Sequence, residues 1–342
     1  MKVKFLSNTI PWFGKYSGYE IIENYFPDQI TKETTYISKA HLHYKILGKI
    51  LKFYYNPEPI AASLFYKTWY YFNLGSPYVV RHILYGENFI NYFPFVLSSQ
   101  LNKLVVTLHL PLSQWTDDKL VKLQEIKNVI LLYEKEIPHF ERFLPNAKIS
   151  YIPLGVDTSY FKPAEYGSRL SKSFLFLGHY LRNFNMLCKV IKQALAKDSD
   201  IVFDLVIPDW IVEKELSEIV SYEQVRLHHG ISDDQLNKLY KSCTAMLMPM
   251  NDSGANTAIV QGISCGCPII TTDVGGIRNY GGGSIYPLVS NNDVEEMVEM
   301  VLNYANNSKL VKEVSINCRD FALTKLSWPI VVKQHLDLYE SL

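Results

Sequence analysis

Short apolar runs alternate along the chain with stretches whose apolar positions follow a helical period. In the first half, "VKFLS" predicts an opening strand, followed by a glycine-bearing turn, "FGKYSGYE", and a helix. "YVVRHILYG" and "KLVVTLHL" predict further strands, and "VILLYEKEIPHFERFL" a strand followed by a helix. In the second half the strand candidates are "SFLFLGHY", "IVFDLVI", "VRLHHG", "AMLMPM" and "CPIITTD". Between them, "SDDQLNKLYKSC" puts Leu236, Leu239, Tyr240 and Cys243 on one helical face. This β-α alternation implies parallel sheets with covering helices, and two such sheets rather than one very large one.

The boundary between them is marked by "YIPLGVDTSYFKP", Tyr151 to Pro163, where Pro153, Gly155 and Pro163 break regular structure. Strand patterning restarts at Ser173. The expected division is a first domain over 1–157, a second over 158–325 and a terminal segment over 326–342. That last segment, "SWPIVVKQHLDLYESL", reads as an amphipathic helix with Val331, Leu336 and Tyr339 among its apolar positions. Ligands of open α/β sheets bind beyond the carboxyl ends of the strands, so a cleft between two such domains would be lined by the loops that follow them.

Composition narrows the function classes. With 342 residues, 48% of them hydrophobic, the chain has material for two cores. Lys+Arg 34 balance Asp+Glu 34, which argues against a general nucleic-acid binder. The five cysteines are scattered, as expected of reduced, mostly buried thiols in a cytoplasmic protein. "MKVKFLSNTIPWF" has too short an apolar run for a signal peptide, and Arg81 and Glu87 interrupt the best candidate membrane span. A soluble or peripheral protein is expected.

Candidate chemistry concentrates in "SGANTAIVQGISCGCPIITTDVGG", Ser253 to Gly276. Asn256 fits a helix N-cap and Gly266 the position just past a helix end. Thr257 and Gln261, four apart, share one face. Backbone N–H groups and the positive dipole end favour a phosphate at that helix start, with Thr257 adding a hydroxyl and Gln261 a sugar contact. The plain alternative is a capped helix with a solvent-facing glutamine. "FLFLGHYLRNF" has the same logic: a strand, then Gly178, then His179 and Arg182, where glycine admits an anion and arginine offers it a fork. Two such junctions in one domain suggest a diphosphate. His109, in "VVTLHLPL", ends a first-domain strand on the side where ligands bind.

His82 and the pairs His41/His43 and His228/His229 form no zinc pattern with the cysteines, so no metal is expected. No phosphate-binding G-x-x-x-x-G-K-[ST] or G-x-G-x-x-G occurs, and "YGGGS" near Gly281 lacks their context. From His41 to Tyr92 the chain is aromatic-rich, with Lys45, Lys49 and Lys52 on one helical face and Lys67 beyond. Such a segment suits an anionic membrane surface, or equally a solvated helix beside a tyrosine-rich core.

These residues in this order resemble the GT-B retaining glycosyltransferases of family 4, often called group 1 glycosyl transferases. The blocks that carry the resemblance are "YIPLGVDTSYFKP", "FLFLGHY", "VRLHHGISDDQLNKLYKSCTAMLMP" and "GISCGCPIITTDVGG"; it is strong from Tyr151 to about Leu302 and diffuse before Ser150. The resemblance implies an α/β, GT-B architecture: two Rossmann-like domains with parallel sheets facing across a cleft, and the terminal helix crossing back to the first. It implies a UDP- or GDP-sugar donor, held mainly by the second domain, and a glycan, glycolipid or other acceptor. The nucleotide-sugar is then a substrate, and no cofactor or metal is implied. The loop after Gly178 and the helix after Gly254 would contact the diphosphate, and Gly230 and Ile231 would lie near the base. His109 matches a histidine near the transferred sugar, and Gly14 to Gly18 a flexible first loop on the acceptor side. Two family glutamates are replaced here by Ser253 and Gln261. The usual Gly-Arg pair is Gly178-His179, and the expected lysine is replaced near Phe184. Arg182 is the substitute for both, and with His179 it would neutralise the leaving diphosphate. A nucleotide-sugar epimerase and a non-catalytic nucleotide-sugar-binding subunit are the alternatives.

Overall fold

The structure, a computed structural model, describes residues 1–7, 14–36, 42–55, 62–164 and 169–342, without the side chains of 42–45, 54, 62 and 63. The turn residue Phe13 and His41 of the proposed basic segment lie outside the described residues, as does the side chain of Lys45. The chain forms two compact units: Met1–Phe13, Gly18–Pro153 and Val332–Leu342 make the first, and Gly14–Ser17 and Leu154–Val331 the second.

The first unit holds β1 (Lys2–Ser7), β2 (Thr31–Tyr36), α1 (Leu42–Tyr55), α2 (Ala62–Asn73), β3 (Val80–Ile83), β4 (Leu104–Leu108), α3 (Asp117–Val121), β5 (Asn128–Leu131), α4 (Ile137–Phe143) and β6 (Lys148–Tyr151). Its strands form one parallel sheet in the order β2-β1-β3-β4-β5-β6. Central strands such as β4, "LVVTL", are buried along their whole length, as covered parallel strands must be. β2, "TKETTY", is an edge strand without an apolar run. Its Glu33 bonds Lys2 and Lys4 at 3.2 and 3.1 Å, charges that suit a sheet edge. The helix expected after the first glycine turn is a short 3-10 segment, Glu20–Tyr25.

The second unit runs β7 (Ser173–Leu177), α5 (Phe184–Lys197), β8 (Val202–Val206), α6 (Asp209–Glu215), β9 (Val225–His228), α7 (Asp233–Ser242), β10 (Ala245–Met248), α8 (Thr257–Ser264), β11 (Ile269–Thr272), β12 (Leu288–Val289), α9 (Val294–Asn306), α10 (Ser308–Phe321) and the start of α11 (Trp328–Glu340). Its parallel sheet has the order β12-β11-β10-β7-β8-β9. Counted from its own first strand this is 3-2-1-4-5-6 reversed, the doubly wound order. α7 opens with a capping box in which Ser232 and Gln235 satisfy each other's orphan amides. On the face expected to be apolar, Tyr240 and Cys243 are buried while Leu236 and Leu239 are half-buried.

The observed limits differ from a division at 157/158 and 325/326. β6 carries the first unit's strand pairing to Tyr151, and Leu154 already donates to the Tyr280 hydroxyl of the second unit at 3.0 Å. At the far end, Val156 bridges Ser327, and a Cβ on Gly155 would overlap the Trp328 ring. Those contacts keep Trp328–Val331 with the second unit. The rest of α11 groups with the first, where Tyr339 bonds His82 Nδ1 at 2.6 Å and His335 the Tyr19 hydroxyl at 2.7 Å.

Candidate functional site

In the second unit the chain leaves β7 toward β8 on one side and reaches β10, then β11, on the other. β7 and β10 are neighbours, so the crevice beyond their carboxyl ends is the switch point where such sheets take ligands. Two loops meet there. An antiparallel bridge joins Arg182 to Met250, and Asn251 donates from its backbone to the Leu181 carbonyl at 2.9 Å. Gly178 turns the chain out of β7 with φ +75°, a left-handed conformation that costs a residue with a Cβ.

Arg182 is held by neutral groups. Its Nε donates to the Leu177 carbonyl at 2.8 Å and one terminal nitrogen to the Tyr180 carbonyl at 3.1 Å. The same nitrogen lies 3.3 Å from Met250 Sδ. No carboxylate is within ion-pair reach among the described residues. Burial pushes its pKa down to about 10, so it stays charged at neutral pH. Asn256 caps α8: its side-chain oxygen accepts from Ile259 N at 3.3 Å, and its amide nitrogen sits 3.3 Å from the same Met250 sulfur. The guanidinium and the α8 N-terminus therefore converge on one buried side chain. Thr257 opens the helix half-buried, and its amide and that of Ala258 are among the four that a helix start leaves without intrahelical acceptors.

The other expected donor-site residues are disposed differently. His179 is exposed, meets the Trp210 ring edge-on at 5.0 Å between centroids, and is held below its ordinary pKa by burial and by Arg182. Ser253 is buried, with its hydroxyl donating to the Gly254 carbonyl at 2.9 Å. Its own carbonyl accepts from Gly276 N at 2.8 Å. A Cβ on Gly275 would stand 1.9 Å from that carbonyl oxygen, so only glycine fits there. Gly254 is buried beside it, whereas Gly230 and Ile231 lie on the loop after β9, two strands from the switch point.

Gln261 is not the solvent-facing glutamine of the plain alternative. It is buried: its carbonyl oxygen accepts from the Tyr240 hydroxyl at 3.0 Å, and its amide nitrogen donates to Ser17 Oγ at 2.8 Å. Gly14–Ser17 groups with this unit rather than with the acceptor-side domain. A Cβ on Gly14 would overlap the Asp233 carboxylate, and the Tyr16 ring stacks on Tyr160, whose hydroxyl donates to Asp234 Oδ1 at 2.7 Å. Gly18 belongs to the first unit. Ser17 and Met250 carry no sequence signal of this role, and Tyr240 reads as core from its helical position.

In the first unit, His109 follows β4 and donates from Nε2 to the Leu84 carbonyl beyond β3 at 2.7 Å. That bond assigns the proton to Nε2 and leaves Nδ1 with the lone pair. Burial pushes its pKa down to about 4, so the ring is neutral at neutral pH. Tyr85 stacks on it at 4.6 Å, and Tyr19 meets it edge-on at 4.9 Å. Glu87, which sequence patterning marked only as a break in an apolar run, accepts from His109 N at 3.3 Å. Burial pushes its carboxyl up to about 7. Glu20 bonds the Tyr85 hydroxyl and is likewise raised by burial.

Two units of parallel sheet, the second doubly wound with a cationic switch point, define the GT-B class of α/β architecture. Residues 171–307 match the family model described as Glycosyl transferases group 1. An MMP alpha-(1->4)-mannosyltransferase of Mycolicibacterium hassiacum is 25% identical over 201 residues, which cover 56% of this chain and 48% of that protein. An uncharacterized glycosyltransferase of Methanocaldococcus jannaschii is 28% identical over 159 residues, 43% of this chain and 42% of that protein. The chain spans about half the length of the curated relatives it matches. Among solved structures, Anabaena HepE in complex with UDP-glucose superposes with a TM-score of 0.73 at 14% identity, covering 100% of both chains.

Proposed function

We propose that this chain is a glycosyltransferase that moves a sugar from a nucleotide-diphosphate sugar, UDP- or GDP-linked, to an acceptor hydroxyl with retention of configuration. The observation that carries this reading is Arg182, a partly buried guanidinium without a carboxylate partner among the described residues, converging on the N-terminus of α8 at the switch point. The reacting bond is the one between the sugar's anomeric carbon and the diphosphate. As it breaks, charge accumulates on the departing oxygen, where Arg182 and the first-turn amides of α8 supply fixed positive ends. The acceptor oxygen bonds the same face of the anomeric carbon and gives its proton to the departing diphosphate. That route needs no metal, because the protein supplies the positive charge. His109, neutral with a lone pair on Nδ1, would accept a hydroxyl of the transferred sugar.

The HepE structure with bound UDP-glucose supports this class of donor, and the mannosyltransferase relative supports glycosyl transfer. The acceptor is a glycan, glycolipid or similar hydroxyl, in the synthesis of cell-surface polysaccharide or glycoconjugate. We also place the protein in the cytoplasm, in peripheral contact with the inner membrane face through α1. That helix exposes Ile46, Ile50 and Phe53 beside Lys49 and Lys52, and no helix among the described residues is long and apolar enough to cross a membrane.

The test is donor turnover by Arg182→Ala. Loss of one preorganised donor to a developing oxyanion costs roughly 100-fold or more, and that loss is expected with the circular dichroism unchanged. Arg182→Lys, which keeps the charge but not the fork, should fall between. Wild-type turnover in Arg182→Ala defeats the assignment. The internal engagement of Ser253 and Gln261 favours a second reading, a non-catalytic nucleotide-sugar-binding subunit. Calorimetric binding of UDP-glucose without turnover would establish it, and donor conversion without any acceptor would instead identify an epimerase.

A further inference from the structure

The turns at the amino ends of β10 and β11 bring two thiols together. Cys243 caps the end of α7, where its backbone N–H donates to the Leu239 carbonyl at 3.0 Å. Cys267 follows α8, after Gly266 turns the chain with φ +63°, and its N–H donates to the Gly262 carbonyl at 2.8 Å. Parallel pairing of β10 with β11 starts at Met246 and Ile269, and Met246 N donates to the Pro268 carbonyl at 2.8 Å. Both turns are therefore fixed side by side. The two buried sulfurs lie 3.3 Å apart, closer than the ~3.5–4.0 Å of ordinary carbon contacts. A disulfide needs about 2.05 Å, so roughly 1 Å of closure separates the pair from a bond.

Cys188 and Cys265 direct their thiols elsewhere, the first to the Glu215 carbonyl and the second to Asn237 Oδ1, each at 3.4 Å. Burial pushes Cys188 up to about 11 and Cys265 to about 12, and it raises Cys318 too. Cys267 differs. Burial opposes its ionisation, but the bond from Cys243 and the charge of Arg169 hold its thiol below the ordinary value. Arg169 is kept beside the pair by donating to the carbonyls of Cys243 at 2.9 Å and Cys265 at 2.8 Å. Cys243 is raised by burial and by its bond to Cys267, so it keeps the proton and Cys267 takes the thiolate character. One sulfur is thus readied as a nucleophile, and the other stands within reach to resolve it, as in thiol pairs that oxidise reversibly.

We propose that Cys243 and Cys267 are an oxidative modification site, a dithiol that a hydroperoxide converts to an intrachain disulfide tying the end of α7 to the turn after α8. The Cys267 sulfur attacks the peroxide, so that an S–O bond forms as the O–O bond breaks, and the departing hydroxide takes the thiol proton as water. Cys243 Sγ then attacks that sulfur: the S–S bond forms, the S–O bond breaks, and a second water leaves with the Cys243 proton. Two thiols lose two electrons and one peroxide gains them. Because both sulfurs are buried, the oxidant reaches them through local opening of the fold. The site stands independently of the donor reading. The experiment treats the folded full chain with hydrogen peroxide, blocks the remaining thiols in denaturant, and maps chymotryptic peptides with and without dithiothreitol. Two of the five thiols should disappear, and a reducible link should join the Cys243 peptide to the one carrying Cys267. Cys265→Ser should form the link at wild-type yield and Cys267→Ser should form none, with circular dichroism showing that both variants fold. Five free thiols in the treated wild type, a link between other cysteines, or a link that persists in Cys267→Ser would overturn the assignment.

Discussion

Replacing Glu87 with glutamine should change how the stability of the protein depends on pH. Burial pushes this carboxyl from its ordinary 4.5 up to about 7, against the opposing pull of the amides of Glu87 and His109. Between those two values the native state binds more protons at this site than the unfolded chain does. Stability contributed there falls as pH rises through the window, and the loss is complete above pH 7. At about 1.4 kcal/mol per unit, the full swing is of order 3 kcal/mol, an upper bound because Glu87 keeps some contact with water. His109 acts in the opposite sense. Its pKa is lowered from 6.5 to about 4, so its contribution is lost as pH falls through that range. In the wild type the two slopes oppose each other in the shared interval. Glu87→Gln removes the falling branch that Glu87 contributes, while His109, Glu20 and His82 keep their own shifts in both proteins, so the variant's stability relative to wild type should rise between about pH 4.5 and 7 and the difference level off above. Urea denaturation of both proteins from pH 5 to 8 measures the difference. Parallel stability curves for wild type and variant across that range would refute the assignment of the raised carboxyl.

Two further outcomes follow from the same geometry. Gln261→Glu keeps the acceptor for the Tyr240 hydroxyl, replaces the donor to Ser17 Oγ with an acceptor to which that hydroxyl must turn and donate, and adds charge-assisted bonds to ribose; UDP-glucose affinity should rise about 3- to 10-fold in calorimetry, with some loss of thermal stability from the buried charge. Unchanged affinity in a folded variant would remove Gln261 from the donor site. The chain should cosediment with phosphatidylserine vesicles at low salt but not with phosphatidylcholine vesicles, and Lys49→Glu with Lys52→Glu should abolish it; failure of the wild type to bind at low salt would count against membrane contact.

The fold was legible wherever burial imposed continuous apolar runs. "SFLFL" and "AMLM" are buried at every position, and a strand covered on both faces can read no other way. β2 was missed because an edge strand needs no such run: "TKETTY" is held by backbone pairing to β1 and by Glu33's lysines. β12, two residues long, is too short to leave a pattern, and β6, "KISY", is a half-exposed edge strand without an apolar run, only its last residue, Tyr151, falling in the proline-marked boundary. At the site, local chemistry was readable and long-range partnership was not. Asn256 caps its helix and Gly266 follows it with φ +63°, as adjacent sequence dictates. The bond from Gln261 to Ser17 joins positions 244 residues apart, and nothing near either residue encodes it. Glu87 gained its interest only from what surrounds it.

The electrostatics of the switch point explain why Ser253 need not disqualify the site. The α8 N-terminus and Arg182 are both positive and share Met250, so in isolation they repel. A glutamate at 253 would offset part of that repulsion from within the protein. Ser253 instead turns its hydroxyl to the Gly254 carbonyl and contributes no charge. Arg182 and the α8 N-terminus stay uncompensated by any carboxylate among the described residues. Holding a guanidinium this way is costly unless an anion completes the arrangement. A nucleotide diphosphate is such an anion, and on the proposed reading its binding would rest more on charge than in a site where glutamate shares the work. Donor affinity should then weaken with salt, as it must when fixed charges and not hydroxyl contacts supply most of the attraction.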